Sequence, residues 1–392
     1  MSRQKLGIGV IGCGTISDVY LTNITQHYDN LDLIACADLF AEKAQKTAEK
    51  YSIPKACTVE ELLAIPEIEL VLNLTIPAAH YEVNMQVLNA GKHLYCEKPL
   101  TLSLEDAKAV AALAKEKGLL ACSAPDTFLG AGAQTCRALI DEGAIGTPFG
   151  FTANMICAGH ELWHPAPGFY YKKGGGPMFD MGPYYITALA ALLGPIKSIA
   201  CFTATGRPVR NILGVEQETE VPTHYTGIMT FECGAVGSIN MSFDTWNSDL
   251  PCMEIYGTAG SLSVPDPNGF GGPVMLYDGS KLKGIVEKVT EPHPAKLITM
   301  VTNQKTCLEE IPLMFPADPD PRGNMRGLGA SDMAQALMDG RESRLSSALS
   351  VHVVEALNAF EIAADTNSVY EMTTTCERPE PMGRGWDLWE VR

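Results

Sequence analysis

Near the amino terminus, Gly12-Cys13-Gly14-Thr15-Ile16-Ser17 sets two glycines one residue apart and a small residue where a third glycine would stand. A glycine at position 12 permits a tight turn, and Gly14 lets a pyrophosphate approach the backbone. The helix that would open at Thr15 and Ile16 offers that anion free N–H groups and its positive end. Ser17 is small enough for close helix–strand packing. Such a hexapeptide is weak on its own, and its setting gives it weight. The apolar run Leu6–Ile11 precedes it, and Asp38 follows the next apolar run, Leu31–Ala37, 21 positions after Ser17. A carboxylate there can accept hydrogen bonds from adenosine ribose hydroxyls. Leu39 and Phe40 come next rather than an arginine, so the pattern favours NAD over NADP, although Lys43 could bend that rule. A second pattern, His160-Glu161-Leu162-Trp163-His164, spells His-Glu-x-x-His, which on a helix would hold zinc. Pro165 biases His164 away from helical geometry, and Gly159 and Pro167 add to that, so no metal is expected.

These residues need a scaffold, and the first third of the chain supplies strand-like and helix-like segments in alternation, the pattern of βαβ units on a parallel sheet. Further apolar runs at 70–75 and His93–Cys96 end at Ile76-Pro77 and at Glu97-Lys98-Pro99. Residues 103–117 are expected to be a helix: Ser103 can cap its first turn, Ala107, Val110, Ala111 and Ala114 recur at helical spacing, and Gly118 can end it. A helix over 131–142 leads into a second domain. There, strands are expected at 149–155, 199–204, 225–231, 235–243 and 253–256, several separated by turns, which favours a largely antiparallel sheet. Leu349, His352, Val353, Ala356, Leu357 and Phe360 share one helical face and predict a helix covering a sheet. Residues 264–324, rich in Pro and Gly, read mainly as loops.

A chain of 392 residues suggests two domains. The expected division is an NAD-binding Rossmann domain over 1–125 and a substrate-binding and oligomerisation domain over 126–392. The fold class is α/β, an N-terminal Rossmann parallel sheet plus a C-terminal α/β domain with a large, mostly antiparallel open sheet. A net charge of −17, with no basic run, would repel nucleic acid and anionic membranes. No apolar run reaches membrane-spanning length, and Met1-Ser2-Arg3-Gln4-Lys5 leads into a strand rather than a secretory leader. The 12 cysteines are scattered without Cys-x-x-Cys spacing, which reads as reduced thiols in the cytoplasm.

Glu97-Lys98-Pro99 at a strand end, with Gly174-Gly175-Gly176 and Asp180-Met181-Gly182 downstream, resembles the Gfo/Idh/MocA family of sugar and inositol oxidoreductases. The resemblance also takes in the glycine fingerprint, Thr75-Ile76-Pro77 with His80, and Tyr256-Gly257-Thr258-Ala259-Gly260, and spans nearly the whole chain. It implies that Thr75, Pro77, His80 and Glu97 serve the cofactor site, and that Lys98 sits between the nicotinamide ribose and the substrate hydroxyl. An ammonium there can stabilise charge that develops as hydride leaves. An X–Pro bond pays little to be cis, and Lys98–Pro99 is expected to be so. Many members carry Asp-x-Gly-x-His, in which Asp contacts substrate and His transfers the proton. Here the run is Asp180-Met181-Gly182-Pro183-Tyr184, placing a tyrosine at the histidine position. Tyr184 becomes the expected acid/base, at i+4 from Asp180, with His164 its rival. The implied reaction moves hydride between nicotinamide and a secondary hydroxyl or ketone of a sugar, inositol or glycoside. Glycoside cleavage through transient oxidation, or a catalytically silent NAD-binding sensor, are the alternatives. A homodimer or homotetramer is implied by the family alone.

Overall fold

In a computed structural model, residues 5–287, 307–316 and 324–383 are described. Six parallel strands form the first sheet: β1 (Leu6–Ile11), β2 (Leu31–Ala37), β3 (Lys55–Cys57), β4 (Leu70–Asn73), β5 (His93–Cys96) and β6 (Ala121–Ser123). Their spatial order is β3-β2-β1-β4-β5-β6, so the order in which strands are added reverses between β1 and β4. Every residue of β1 and β4 is buried. That matches their unbroken apolar runs, since helices cover both faces of a parallel sheet. The helices α1 (Thr15–His27), α2 (Ala41–Tyr51), α3 (Val59–Leu63), α4 (Pro77–Asn89) and α5 (Leu104–Lys117) connect these strands. In α5 the Ser103 hydroxyl accepts the Asp106 N–H at 3.2 Å, and Gly118 closes the helix with φ +66°, as its sequence predicts.

The second sheet has nine strands: β7 (Pro148–Ile156), β8 (Ile196–Ala204), then, beyond a two-stranded hairpin β9 (Val209–Ile212) and β10 (Val215–Glu218), β11 (His224–Phe231), β12 (Val236–Ser242), β13 (Met253–Gly257), β14 (Gly260–Val264), β15 (Val274–Asp278), β16 (Leu308–Ile311) and β17 (Tyr370–Glu371). All neighbours in it are antiparallel except β7 and β12. In β11, Tyr225, Gly227, Met229 and Phe231 are buried while Thr226 and Ile228 face outward. The helix α6 (Ala131–Asp141) leads into this sheet, one face of which is covered, by the helices α7 (Gly176–Leu193) and Ser347–Thr366, while among the described residues the other is open.

Two local expectations change. Among the described residues of 264–324, strands and a helix stand where loops are expected: β15 and β16 pair with each other, β15 also pairs with β14, and the helix Gly279–Glu287 lies between them in the chain. In the run 274–278, Val-Met-Leu-Tyr-Asp, Val274 is buried and the other four are partly buried, without clean alternation, so local pattern concealed a strand that its pairing partner defines. Residues 288–306 and 317–323 of that stretch lie outside the described residues. The hairpin β9–β10, also unforeseen, turns through Leu213 and Gly214, both at positive φ.

The segment 324–339 returns to the first sheet's side of the molecule. Asn23 donates to the Asn324 and Arg326 carbonyls, Tyr28 to Met325 and Asn30 to Ser331. Buried Asp126 accepts the Gly327 and Gly329 N–H groups at 3.0 Å each. The helix Ser347–Thr366 packs on α5, α7 and β8, bridging elements of both sheets.

Candidate active site

The turn after β1 is shaped for a dinucleotide. Gly12 has φ +100°, and a Cβ on it would stand 2.6 Å from the Leu74 backbone, so no other residue fits without a shift. A Cβ on Gly14 would meet nothing within 4 Å. Gly14 also begins α1 without any side chain capping the helix. Open space thus lies before uncapped N–H groups at a helix start, where a pyrophosphate is favoured. Thr15 is exposed and Ile16 half-buried at this start. Asp38, half-buried at the end of β2, accepts the Cys13 N–H at 2.8 Å and the Phe40 N–H at 2.9 Å. That ties the acidic residue to the glycine turn. Lys43 stands over the Phe40 ring, 5.0 Å from its centroid.

The carboxyl ends of β4 and β5 form the rest of this cleft. Thr75 and Pro77 are half-buried at the start of α4. His80 is wholly buried, with its ring nitrogens 2.7 Å from the Pro99 carbonyl oxygen and 3.0 Å from that of Thr75. It acts by holding the two strand-end loops together. Burial lowers its pKa, and the two carbonyl oxygens, which accept from ring N–H groups, oppose that shift. The Lys98–Pro99 bond is cis, as expected. Glu97, buried, accepts the Tyr20 hydroxyl at 2.7 Å and the Lys98 N–H at 2.9 Å.

Across the cleft lies α7. It starts at Gly176, so Asp180 and Tyr184 sit one turn apart on the face turned toward Lys98. The Lys98 Nζ donates to the Asp180 carbonyl at 2.7 Å and to its Oδ1 at 2.9 Å, and lies 5.2 Å from the centre of the Tyr184 ring. Lys98 and Asp180 keep 17% and 14% of their side chains exposed, so a ligand can reach them. The other oxygen of Asp180 is 3.0 Å from His160 Nε2. Burial opposes all three charges, and their mutual pairing prevails. Asp180 is brought down to about 2 by Lys98 and His160. His160 is raised to about 9, chiefly by Asp180, with Cys157 beside it. Lys98 is raised above its ordinary value by Asp180, Tyr184 and Glu97. At neutral pH the row is cation, anion, cation.

The structure thus joins Lys98, Asp180 and Tyr184, as the sequence suggests, but it is His160 rather than His164 that reaches Asp180. His164 lies half-buried among Trp163, Phe169 and Tyr170, and its Nδ1 accepts the Ala166 N–H at 3.0 Å. The His-Glu-x-x-His residues do not share a helical face: His160–Leu162 is a 3₁₀ turn and Glu161 points away to Arg210 at 2.7 Å and Arg207 at 3.3 Å. Sequence reasoning also missed Arg326. Its Nη2 donates to Tyr184 Oη at 3.3 Å and to Asn268 Oδ1 at 2.6 Å. No local spacing signals this, because 142 residues separate the pair.

A parallel sheet with its glycine turn, acidic ribose position and a strand-end lysine defines an NAD-binding oxidoreductase built on a Rossmann domain. The family model for the oxidoreductase family, NAD-binding Rossmann fold, matches residues 6–124, and that for the GFO/IDH/MocA C-terminal domain matches 133–263. The chain belongs to the GFO/IDH/MocA family. It is 27% identical to 1,5-anhydro-D-fructose reductase of Ensifer adhaerens over 65% of this chain and 74% of that protein. It is likewise 27% identical to scyllo-inositol 2-dehydrogenase (NAD(+)) of Bacillus subtilis (strain 168), over 67% of this chain and 74% of that one. The fold is shared with levoglucosan dehydrogenase solved with NADH and L-sorbose: TM-score 0.77, 21% identity, 95% of this chain and 100% of that one. Among the described residues no helix is long and apolar enough to cross a membrane.

Proposed function

We propose that this oxidoreductase is an NAD-dependent dehydrogenase acting on a secondary hydroxyl, or the corresponding ketone, of a sugar, inositol or glycoside. The observation that carries the reading is Lys98 at the mouth of the cleft, paired to Asp180 at 2.9 Å with the Tyr184 ring 5.2 Å away. The substrates named for its sugar and inositol relatives supply the substrate class.

Gly12, Gly14, Thr15 and Ile16 would hold the pyrophosphate, Asp38 the adenosine ribose, and Thr75, Pro77 and Glu97 the nicotinamide side. Bound NAD supplies a carbon that accepts hydride in oxidation and NADH one that gives it in reduction. Lys98 donates a hydrogen bond to the reacting oxygen, where its charge stabilises alkoxide character in the transition state. Asp180 fixes the ammonium and can accept from a neighbouring hydroxyl, since a carboxylate has about four acceptor positions and its protein partners leave some open. In the reducing direction Tyr184 gives its hydroxyl proton to the forming alkoxide. The phenolate left behind lies between Lys98 and the Arg326 guanidinium. Oxidation runs these steps backward.

The test is a panel of aldoses, inositols and glycosides incubated with NAD, followed by NADH absorbance and product analysis. NADH accumulation with a polyhydroxylated substrate, reduced about 10²–10⁴-fold in Tyr184→Phe, is the expected result. Cleaved glycoside without NADH accumulation would instead reveal oxidation and reduction within one turnover. NAD binding with no chemistry on any member would contradict the reading.

A further inference from the structure

A single loop beside the Lys98–Asp180–His160 row carries an exposed aromatic wall. Leu162, Trp163 and Phe169 are 61%, 66% and 55% exposed. Large apolar side chains clustered at a surface mark binding sites. The rings are ordered against one another: Phe169 on Tyr170 at 4.0 Å between centroids, Tyr170 on His160 at 4.1 Å, and Trp163 on His160 at 5.0 Å. His160 is therefore shared: its Nε2 meets Asp180, and its ring packs against Tyr170 and Trp163 of the wall. The loop is braced from beneath by Glu161, whose carboxylate accepts from Arg210 and from the Tyr171 hydroxyl. Arg207, 3.3 Å from Glu161, carries a further exposed indole, Trp246, 5.1 Å from its guanidinium. Such bracing fixes the wall in place, which an incidental loop does not require.

The geometry points to a second subsite: Trp163 and Phe169 stack on a ring attached to the reacting sugar, so the substrate is a glycoside bearing a six-membered ring rather than a free monosaccharide. This rests on the dehydrogenase reading and narrows it. The reacting oxygen belongs at Lys98. From there Asp180, His160 and Trp163 are successive contacts, and of the three only Trp163 is exposed, which sets the wall at the surface end of the row, beyond the sugar being oxidised. Flat aromatic faces attract the C–H face of a sugar or the face of an aryl group, and the exposed edges leave room for hydroxyls. A second sugar and an aryl aglycone share this chemistry.

The experiment compares three glycosides of the same reacting sugar, methyl, phenyl and glucosyl, in the native protein, Trp163→Ala, Phe169→Ala and Trp163→Phe. Initial NADH formation and calorimetric binding to the NADH complex are both measured. The native protein is expected to favour a ring-bearing glycoside over the methyl one by about tenfold, expressed in KM. Trp163→Ala and Phe169→Ala erase that preference and Trp163→Phe restores most of it. Preference for phenyl identifies an aryl group and preference for glucosyl a second sugar. Equal affinity for all three in the native protein overturns the inference, as does an equal loss on all three in the alanine variants. Dissociation of an oligomer in Trp163→Ala, seen by sedimentation, also overturns it by assigning the wall to a second copy of the chain. Binding without NADH formation refutes the dehydrogenase reading while the calorimetric ratios still decide the subsite.

Discussion

Lys98, Asp180 and His160 form a row in which each group sets the charge of the next. Removing one end should therefore alter the other. His160 has its folded-state pKa raised from 6.5 to about 9. A raised pKa contributes stability that is complete below the unfolded value and is lost as pH rises through the folded one. Between pH 6.5 and 9 the native protein should lose on the order of 1–3 kcal/mol of unfolding free energy that His160→Gln does not lose. Urea unfolding at a series of pH values checks this, and identical slopes in both proteins would show that His160 is not charged by Asp180. Asp180 has the opposite sign. Its stabilisation is present above 3.8 and disappears as pH falls through about 2. At this scale the sequence was partly legible. Lys98 and the Asp180–Tyr184 pair were readable because the resemblance to the family singles them out, with a strand end and an i, i+4 spacing in agreement. His160 was readable only as half of a misleading zinc pattern, and Arg326 not at all. Both act through contacts made across the fold.

Elements carry these residues to the cleft, and two of them give separable tests. Gly12→Ala puts a Cβ 2.6 Å from the Leu74 backbone at a φ of +100°, where β1 and the end of β4 approach. It should cost about 2 kcal/mol or more of stability and weaken NAD binding together. Ser103→Ala removes the cap of α5, far from the glycine turn in sequence, and should cost about 1 kcal/mol with the NAD dissociation constant unchanged. Thermal unfolding with and without NAD separates the two effects. Strands β1, β2, β4 and β5 and helix α5 could be read because periodicity, cap and stop signals agree over the same stretch. Strands β15 and β16 could not: only partners in space, β14 beside β15 and β15 beside β16, distinguish them from loop.

Taken whole, the molecule has its two sheets tied by late segments of the chain. The backbone of 324–331 bonds to Asn23, Tyr28 and Asn30, and the helix Ser347–Thr366 packs on α5 and β8. The hydrogen bonds among these join residues about 300 apart, beyond the reach of any sequence window. One hydrophobic cluster runs from Leu6 and Ile8 in the first sheet to Phe151 and Ile255 in the second. NAD, which binds only the folded Rossmann part, should therefore raise the unfolding free energy seen by probes in both halves, by about 2.7 kcal/mol at one hundred times its dissociation constant. A shift confined to probes in the first half would show that the halves unfold independently.

The central claim is that Lys98 assists transfer of hydride from a substrate carbon to NAD. The most direct measurement uses the active substrate carrying deuterium at the reacting carbon, with the cofactor product analysed by mass spectrometry for the native protein and Lys98→Ala. The expected result is one deuterium in each NADH formed by the native protein and a rate about 10²–10⁴-fold lower in Lys98→Ala, with NAD still bound. Unlabelled NADH, or an undiminished rate in Lys98→Ala, would contradict it.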